Sequence, residues 1–226
     1  MANSPNSNTI GNDKHSFGTL TGAQVDPATG EMYWGNGNPP TNYNITTNTA
    51  FGAETDLKIH IRGGPDIVPT SIDADGTAHL TAPAGSDPSK PIDAAWNFDY
   101  AVLTTKAVLG EYGLKIAIAE TAAGGGFLHS ATYDFDQTSH IWTSESGHSA
   151  FGGDDFTHSA SPGLQAHLTE NSENVAFILG DFGPTLAAAT AAGNVYDIQV
   201  SAYAPQNGKL VALSHDIVTL AGPMPA

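Results

Sequence analysis

Trp96-Asn97-Phe98-Asp99-Tyr100-Ala101-Val102 sets its aromatic rings on one face of an extended chain and its polar side chains on the other. Successive side chains of a strand point to opposite faces, so this two-residue rhythm marks a half-buried β-strand. Upstream, Leu57-Lys58-Ile59-His60-Ile61-Arg62 repeats the design, and downstream Tyr112, Leu114, Ile116 and Ile118 carry it until Gly124-Gly125-Gly126 breaks it. Ser71 to Thr81 reads as a hairpin that turns at Asp73-Ala74-Asp75-Gly76. Two shorter strands are expected at 127–133 and 139–143, joined at Asp134 to Gln137. Further strands are expected at 174–180, 195–204 and 209–220, the last two linked by Pro205-Gln206-Asn207-Gly208.

About ten short strands separated by turn residues predict an all-β fold, a single β-sandwich of jelly-roll or Greek-key type. One short helix is expected near 185–192, where an Ala-rich run follows Pro184 and stops at Gly193. Residues 1–50 are rich in Asn, Thr, Gly and Pro, with Asp26-Pro27 and Pro39-Pro40 interrupting regular structure. They read as an extended N-terminal arm packed on the sandwich or on a neighbouring molecule, and residues 51–226 as the sandwich itself.

The chain has 226 residues, enough to bury a core without staples. Only 13% of them are charged, and seven Lys and Arg face 23 Asp and Glu for a net charge of −16. A field of that sign repels phosphate backbones, which excludes nucleic acid as a partner, and it attracts cations. Cysteine is absent, which excludes disulfides, thiolate metal sites and Cys nucleophiles. No stretch is long and apolar enough to insert in a membrane, and Met1 to Lys14 lacks the apolar run of a secretory signal. Low charge density, acidity and many glycines point to an exported protein, extracellular or on the cell surface.

Three blocks extend this reading: Ala94 to Val102 (AAWNFDYAV), Asn171 to Phe177 (NSENVAF) and Tyr196 to Ala212 (YDIQVSAYAPQNGKLVA). In this order they resemble an uncharacterised group of bacterial secreted proteins found beside C-terminal sorting signals or calcium-binding repeats. The resemblance implies a secreted β-sandwich and carries no established activity. The chain departs from the group's neighbours in lacking a sorting tail and the nonapeptide repeats, of which Gly152-Gly153-Asp154-Asp155 is a lone fragment.

Candidate chemistry is sparse. Asp73 and Asp75 offer two carboxylates and a tight turn to Ca²⁺, and Asp134, Asp136, Asp154 and Asp155 would form a second oxygen-rich group if their loops converge. Calcium is therefore the one cofactor the composition suits, although the same Asp residues also favour simple turns. His129, His140, His148, His158 and His167 are close in sequence, yet no His-x-His or His-Glu-x-x-His spacing presets a metal site. Gly147-His148-Ser149-Ala150-Phe151-Gly152 misses the nucleophile-elbow spacing by one residue. Trp34, with Asn36 and Asn38 in a Gly- and Pro-rich loop, could stack on a sugar while the amides bond its hydroxyls, or could anchor the arm. The reading is a non-enzymatic structural or adhesive subunit that assembles with copies of itself. A carbohydrate- or small-ligand-binding module is the alternative, and a His-dependent metalloprotein the second.

Overall fold

The computed structural model describes residues 13–32, 39–145, 150–152, 162–182 and 185–223. In chain order the strands begin with β1 (Lys14–Gly18), β2 (Tyr43–Asn48), β3 (Ala53–Ile61), β4 (Ser71–Ile72), β5 (Ala78–Ala84), β6 (Ser86–Asp87), β7 (Lys90–Ala94) and β8 (Trp96–Thr104). They continue with β9 (Gly113–Thr121), β10 (Phe127–Asp136), β11 (Ile141–Ser144) and β12 (Ala150–Gly152). The C-terminal part holds α1 (Pro162–Gln165), β13 (Leu168–Asn174), α2 (Val175–Phe182), α3 (Leu186–Ala189), β14 (Val195–Tyr203) and β15 (Leu210–Pro223).

Two sheets face each other. One has five strands in the order β1-β2-β3-β8-β13, and the other has eight in the order β12-β11-β10-β9-β14-β15-β5-β4. A small β6-β7 ribbon stands apart. The described strands pass between the two sheets five times in chain order, and β15 pairs with β5 in parallel while the other ladders are antiparallel. Among the described residues no helix is long and apolar enough to cross a membrane.

The expected alternation fills the space between the sheets. Leu57, Ile59, Phe98, Tyr100 and Val102 from the smaller sheet meet Ile116, Ile118, Ile198, Val200 and Val218 from the larger. Two edge-to-face aromatic pairs join the sheets: Trp96 with Tyr196 at 5.2 Å between centroids, and Tyr100 with Trp142 at 5.4 Å. Such pairs contribute about 0.5–1.5 kcal/mol beyond the area they bury.

Four expectations change. The described part of the N-terminal arm is built into the sandwich, since β1 and β2 are strands of the five-stranded sheet and β2 pairs with β3 across residue 50. The 139–143 strand begins only at Ile141, because β10 keeps alternating through Asp136 and moves the turn onward. The 174–180 strand is replaced by helix α2, so the fold holds more than one helix. An unbroken apolar run fits helix or strand equally, and Asn174 decides between them. Its Oδ1 accepts from the backbone N–H of Ala176 at 3.0 Å, a capping bond, while its Nδ2 donates to the carbonyls of Ala94 and Trp96, both at 3.0 Å. The helix expected at 185–192 is present but shorter, capped by Thr185 Oγ1, which accepts from Ala188 N at 3.3 Å, and it ends at Ala189.

Candidate functional site

β2 is inverted relative to an ordinary sandwich strand. Its polar side chains Asn44, Thr46 and Asn48 point between the sheets and are buried, while Tyr43 joins a second apolar cluster on the outer face. Opposite β2, β15 turns Ser214 and Asp216 inward before its apolar Val218 and Leu220. Along this edge the interior is therefore hydrogen-bonded rather than oily. Asn44 Nδ2 donates to Asp216 Oδ1 at 2.9 Å and also lies 3.1 Å from the Gly76 carbonyl and 3.0 Å from that of His215. Thr46 Oγ1 donates to the Leu213 carbonyl at 2.8 Å, and Thr55 Oγ1 lies 3.1 Å from Ser214 Oγ. Burial pushes the Asp216 carboxyl up to about 7, against the opposing pull of the Asn44 bond and His215.

β1 closes this seam from outside. His15 Nδ1 is 3.0 Å from Thr46 Oγ1, and its ring lies so close over Gly76 that a Cβ there would come within 2.4 Å of Nδ1. Gly76 has φ +86°, a turn conformation that independently favours glycine. Asn48 Nδ2 donates to Asp13 Oδ1 at 2.7 Å just before the strand. Beyond these contacts β1 is held by its five-residue ladder to β2. Lys14, His15 and Ser16 are exposed, and its far edge meets no strand among the described residues. Residues 19–32 and 39–42 lie against the outer face of the sheet, with Leu20, Val25 and Met32 packed with Tyr43, Ala101 and Leu168 and the Pro39 carbonyl at Lys58.

That covering segment creates a second unusual layer. The polar sides of β3 and β8, which alternation alone would turn to water, are buried beneath it. Lys58 and Asp99 are direct cross-strand neighbours with Nζ and Oδ2 3.3 Å apart, and Lys58 Nζ is also 3.3 Å from Asp66 Oδ1. Lys58 Nζ donates to the Pro39 carbonyl at 3.0 Å, and Thr41 Oγ1 and Asn42 Nδ2 donate to Asp66 Oδ2 at 2.9 and 3.1 Å. Burial alone would raise the Asp99 carboxyl, but His60 and Lys58 overcome it and hold it down at about 2. Asp56 goes the other way: burial, then Glu54 and Glu170, push its carboxyl well above the usual range. The layer pins the cover onto the sheet.

A third grouping has the order of a catalytic relay. Asp197 Oδ1 is 2.9 Å from His215 Nε2, and His215 Nδ1 is 3.0 Å from Thr77 Oγ1. Thr77 is only 6% exposed, however, and its backbone N–H donates to Asp75 Oδ1 at 3.1 Å. A nucleophile must reach its substrate, and this hydroxyl is enclosed. The chain of bonds instead ties the β4–β5 turn to the outer face of β15.

Four of the six candidate calcium ligands make bonds within the protein. Asp73 Oδ2 pairs with His79 Nε2 at 2.9 Å, Asp75 accepts within its own turn, and Asp134 pairs with Lys115 at 2.9 Å. Asp136 accepts from Thr138 N at 2.8 Å and Ser139 Oγ at 2.7 Å, the ordinary work of a turn aspartate. Asp154 and Asp155 lie outside the described residues, as do Trp34, Asn36 and Asn38 of the sugar-binding expectation. Among the described residues no three His, Asp or Glu gather to hold a metal ion. Within the histidine run, His140 packs on Phe135, His167 Nδ1 is 3.3 Å from Thr104 Oγ1, and His148 and His158 lie outside the described residues.

Sequence reasoning missed the seam. The signal for it was present in Tyr43-Asn44-Ile45-Thr46-Thr47-Asn48, an alternating strand inside a segment read as an arm. No protein-family model matches the chain, and no curated protein matches it.

Proposed function

We propose that this protein is an exported, non-catalytic structural subunit that assembles with copies of itself through the N-terminal edge of its five-stranded sheet. The observation that carries this reading is β1: a five-residue strand, mostly exposed, paired on one side only among the described residues. Free backbone N–H and C=O groups on such an edge are a template for another strand. A β1 that detaches and pairs with β2 of a second copy regains in the complex the ladder it had alone, from Lys14 opposite Thr47 to Gly18 opposite Tyr43. The exchange then costs little beyond association entropy. The net charge of −16 opposes association, so salt and millimolar Ca²⁺ promote it by screening. The low charge density and lack of cysteine support placement outside the cell or on its surface.

Light scattering coupled to size exclusion tests this, at low and high salt and with and without Ca²⁺. Full-length protein is expected to form oligomers whose size rises with concentration and screening. A chain lacking residues 1–18 is expected to remain monomeric while keeping its β-rich circular dichroism. Identical size distributions for the two chains would refute exchange through β1.

A second reading has one supporting feature. Residue 39, the described flank of the Trp34, Asn36 and Asn38 segment, is tied by its carbonyl to Lys58, and Met32 on the other flank is buried. Rooted flanks suit a glycan-binding loop. A glycan array in which Trp34→Ala abolishes the signal would favour this reading, and a blank array would remove it.

A further inference from the structure

We propose that the polar seam between β2 and β15 is a proton-operated latch on β1: protonated Asp216 keeps the sheets closed there, and ionised Asp216 opens that edge and loosens the β1–β2 pair. The latch stands on the seam's own geometry. Only its biological consequence, release of β1 to a second copy, rests on the assembly reading.

The argument begins with supply and demand for hydrogen bonds. Asp216 is 1% exposed, and its partner across the seam is the Asn44 amide. An amide nitrogen has two hydrogens, and three oxygens surround this one: Asp216 Oδ1, the Gly76 carbonyl and the His215 carbonyl. A carboxylic acid adds an O–H donor to a seam short of donors. A carboxylate adds a charge, which must be solvated or paired when buried. The neighbouring side chains of the facing strands, Thr46 and Thr55, already bond Leu213 and Ser214. The remaining solvent for the charge is water.

Water reaches Asp216 by parting β2 from β15, and this is where β1 becomes involved. Thr46 of β2 bridges His15 of β1 and the Leu213 carbonyl of β15, so separating β2 from β15 breaks the Leu213 arm and lifts His15 off Gly76. That leaves β1 held by its ladder to β2, without the packing of the larger sheet behind it. The turn at Gly76 touches both sides as well, its carbonyl facing Asn44 and its Cα face lying under the His15 ring. Among the described residues four charged or titratable groups face the region: Asp13 just before β1, His15 from β1, Asp75 from the β4–β5 turn and His215 from β15. Of these, His215 acts on Asp216 directly and favours the ionised form. β2 and β3 contribute only neutral side chains to the seam. Opening is local because the far side of each sheet is held by the aromatic pairs of the main core.

The test is amide hydrogen exchange of monomer, held dilute and normalised to intrinsic rates, between about pH 6 and about pH 8.5 for wild type and Asp216→Asn. Exchange in residues 14–18 and 43–48 is expected to quicken ~10-fold or more across that range in wild type, to stay level in Asp216→Asn, and core strand β9 to stay protected in both. Level exchange in wild type overturns the latch. A rise of the same size in Asp216→Asn also overturns it, because a histidine would then be the sensor. If Asp216→Asn does not fold, His15→Gln and His215→Gln decide: a pH-dependent rise kept in both supports Asp216, and a rise lost in either overturns it. A working latch in a chain that stays monomeric at every pH supports the latch and refutes the assembly reading alone.

Discussion

The Asn44 amide reaches from the five-stranded sheet to the Asp216 carboxyl of the eight-stranded sheet, 2.9 Å away, in a contact from which water is excluded. The two residues are 172 positions apart in the chain. Their contact makes the sandwich's closure depend on pH, and the sign of that dependence follows from the direction of the shift.

Asp216 binds its proton more tightly folded than unfolded, with a folded value of about 7 against the ordinary 3.8. Between those values the folded state holds the extra proton, so stability falls as pH rises and the loss is complete above about 7. The full shift corresponds to at most ~4 kcal/mol. Urea unfolding is expected to show a midpoint that declines from mildly acidic to alkaline pH, with the decline largely absent in Asp216→Asn.

Asp99 has the opposite sign. Its folded carboxyl is held at about 2, so its contribution is present above the ordinary 3.8 and is lost as pH falls through 2. Together the two aspartates predict maximal stability at about pH 4. Lys58→Met leaves Asp99 and Asp66 buried without their lysine, a change expected to cost ~3–5 kcal/mol. Carboxyl NMR is expected to show the Asp99 titration moving upward in that variant, and an unmoved titration would contradict the pairing.

Gly76→Ala combines a positive φ with a collision against His15. The backbone part is expected to cost ~1–2 kcal/mol and the collision a further ~1–3 kcal/mol. Adding His15→Ala removes the collision and leaves the backbone cost, so thermal melts of the two single variants and the double variant should be non-additive. Full additivity would mean that the ring does not rest on the glycine.

Asn174→Ala removes both the α2 cap and the buried bonds that hold β7 and β8 together at Ala94 and Trp96. Loss of a cap costs ~1 kcal/mol, and stranded buried carbonyls cost ~1–3 kcal/mol more. Denaturant titration is expected to register the sum, well above the ~0.5 kcal/mol of an ordinary surface change.

Much of the architecture is legible before folding. The alternation of Leu57 with Ile59, of Phe98 with Tyr100 and of Ile116 with Ile118 predicts opposed sheets and the side chains between them, since a period of two is a property of the extended backbone itself. The turn at Asp73 to Gly76 is equally local. Alternation says that two faces of a strand differ; it does not say which face is covered. Pro39, Thr41 and Asn42 bond Lys58 and its partner Asp66 on a face that reads as solvent-exposed, and β15 presents Ser214 and Asp216 where the polar side of β2 needs partners. Those outcomes depend on segments distant in sequence, so the seam and the charged layer exist only once the chain has folded: hydrogen bonding and burial are settled between elements, whereas strand rhythm is settled within one.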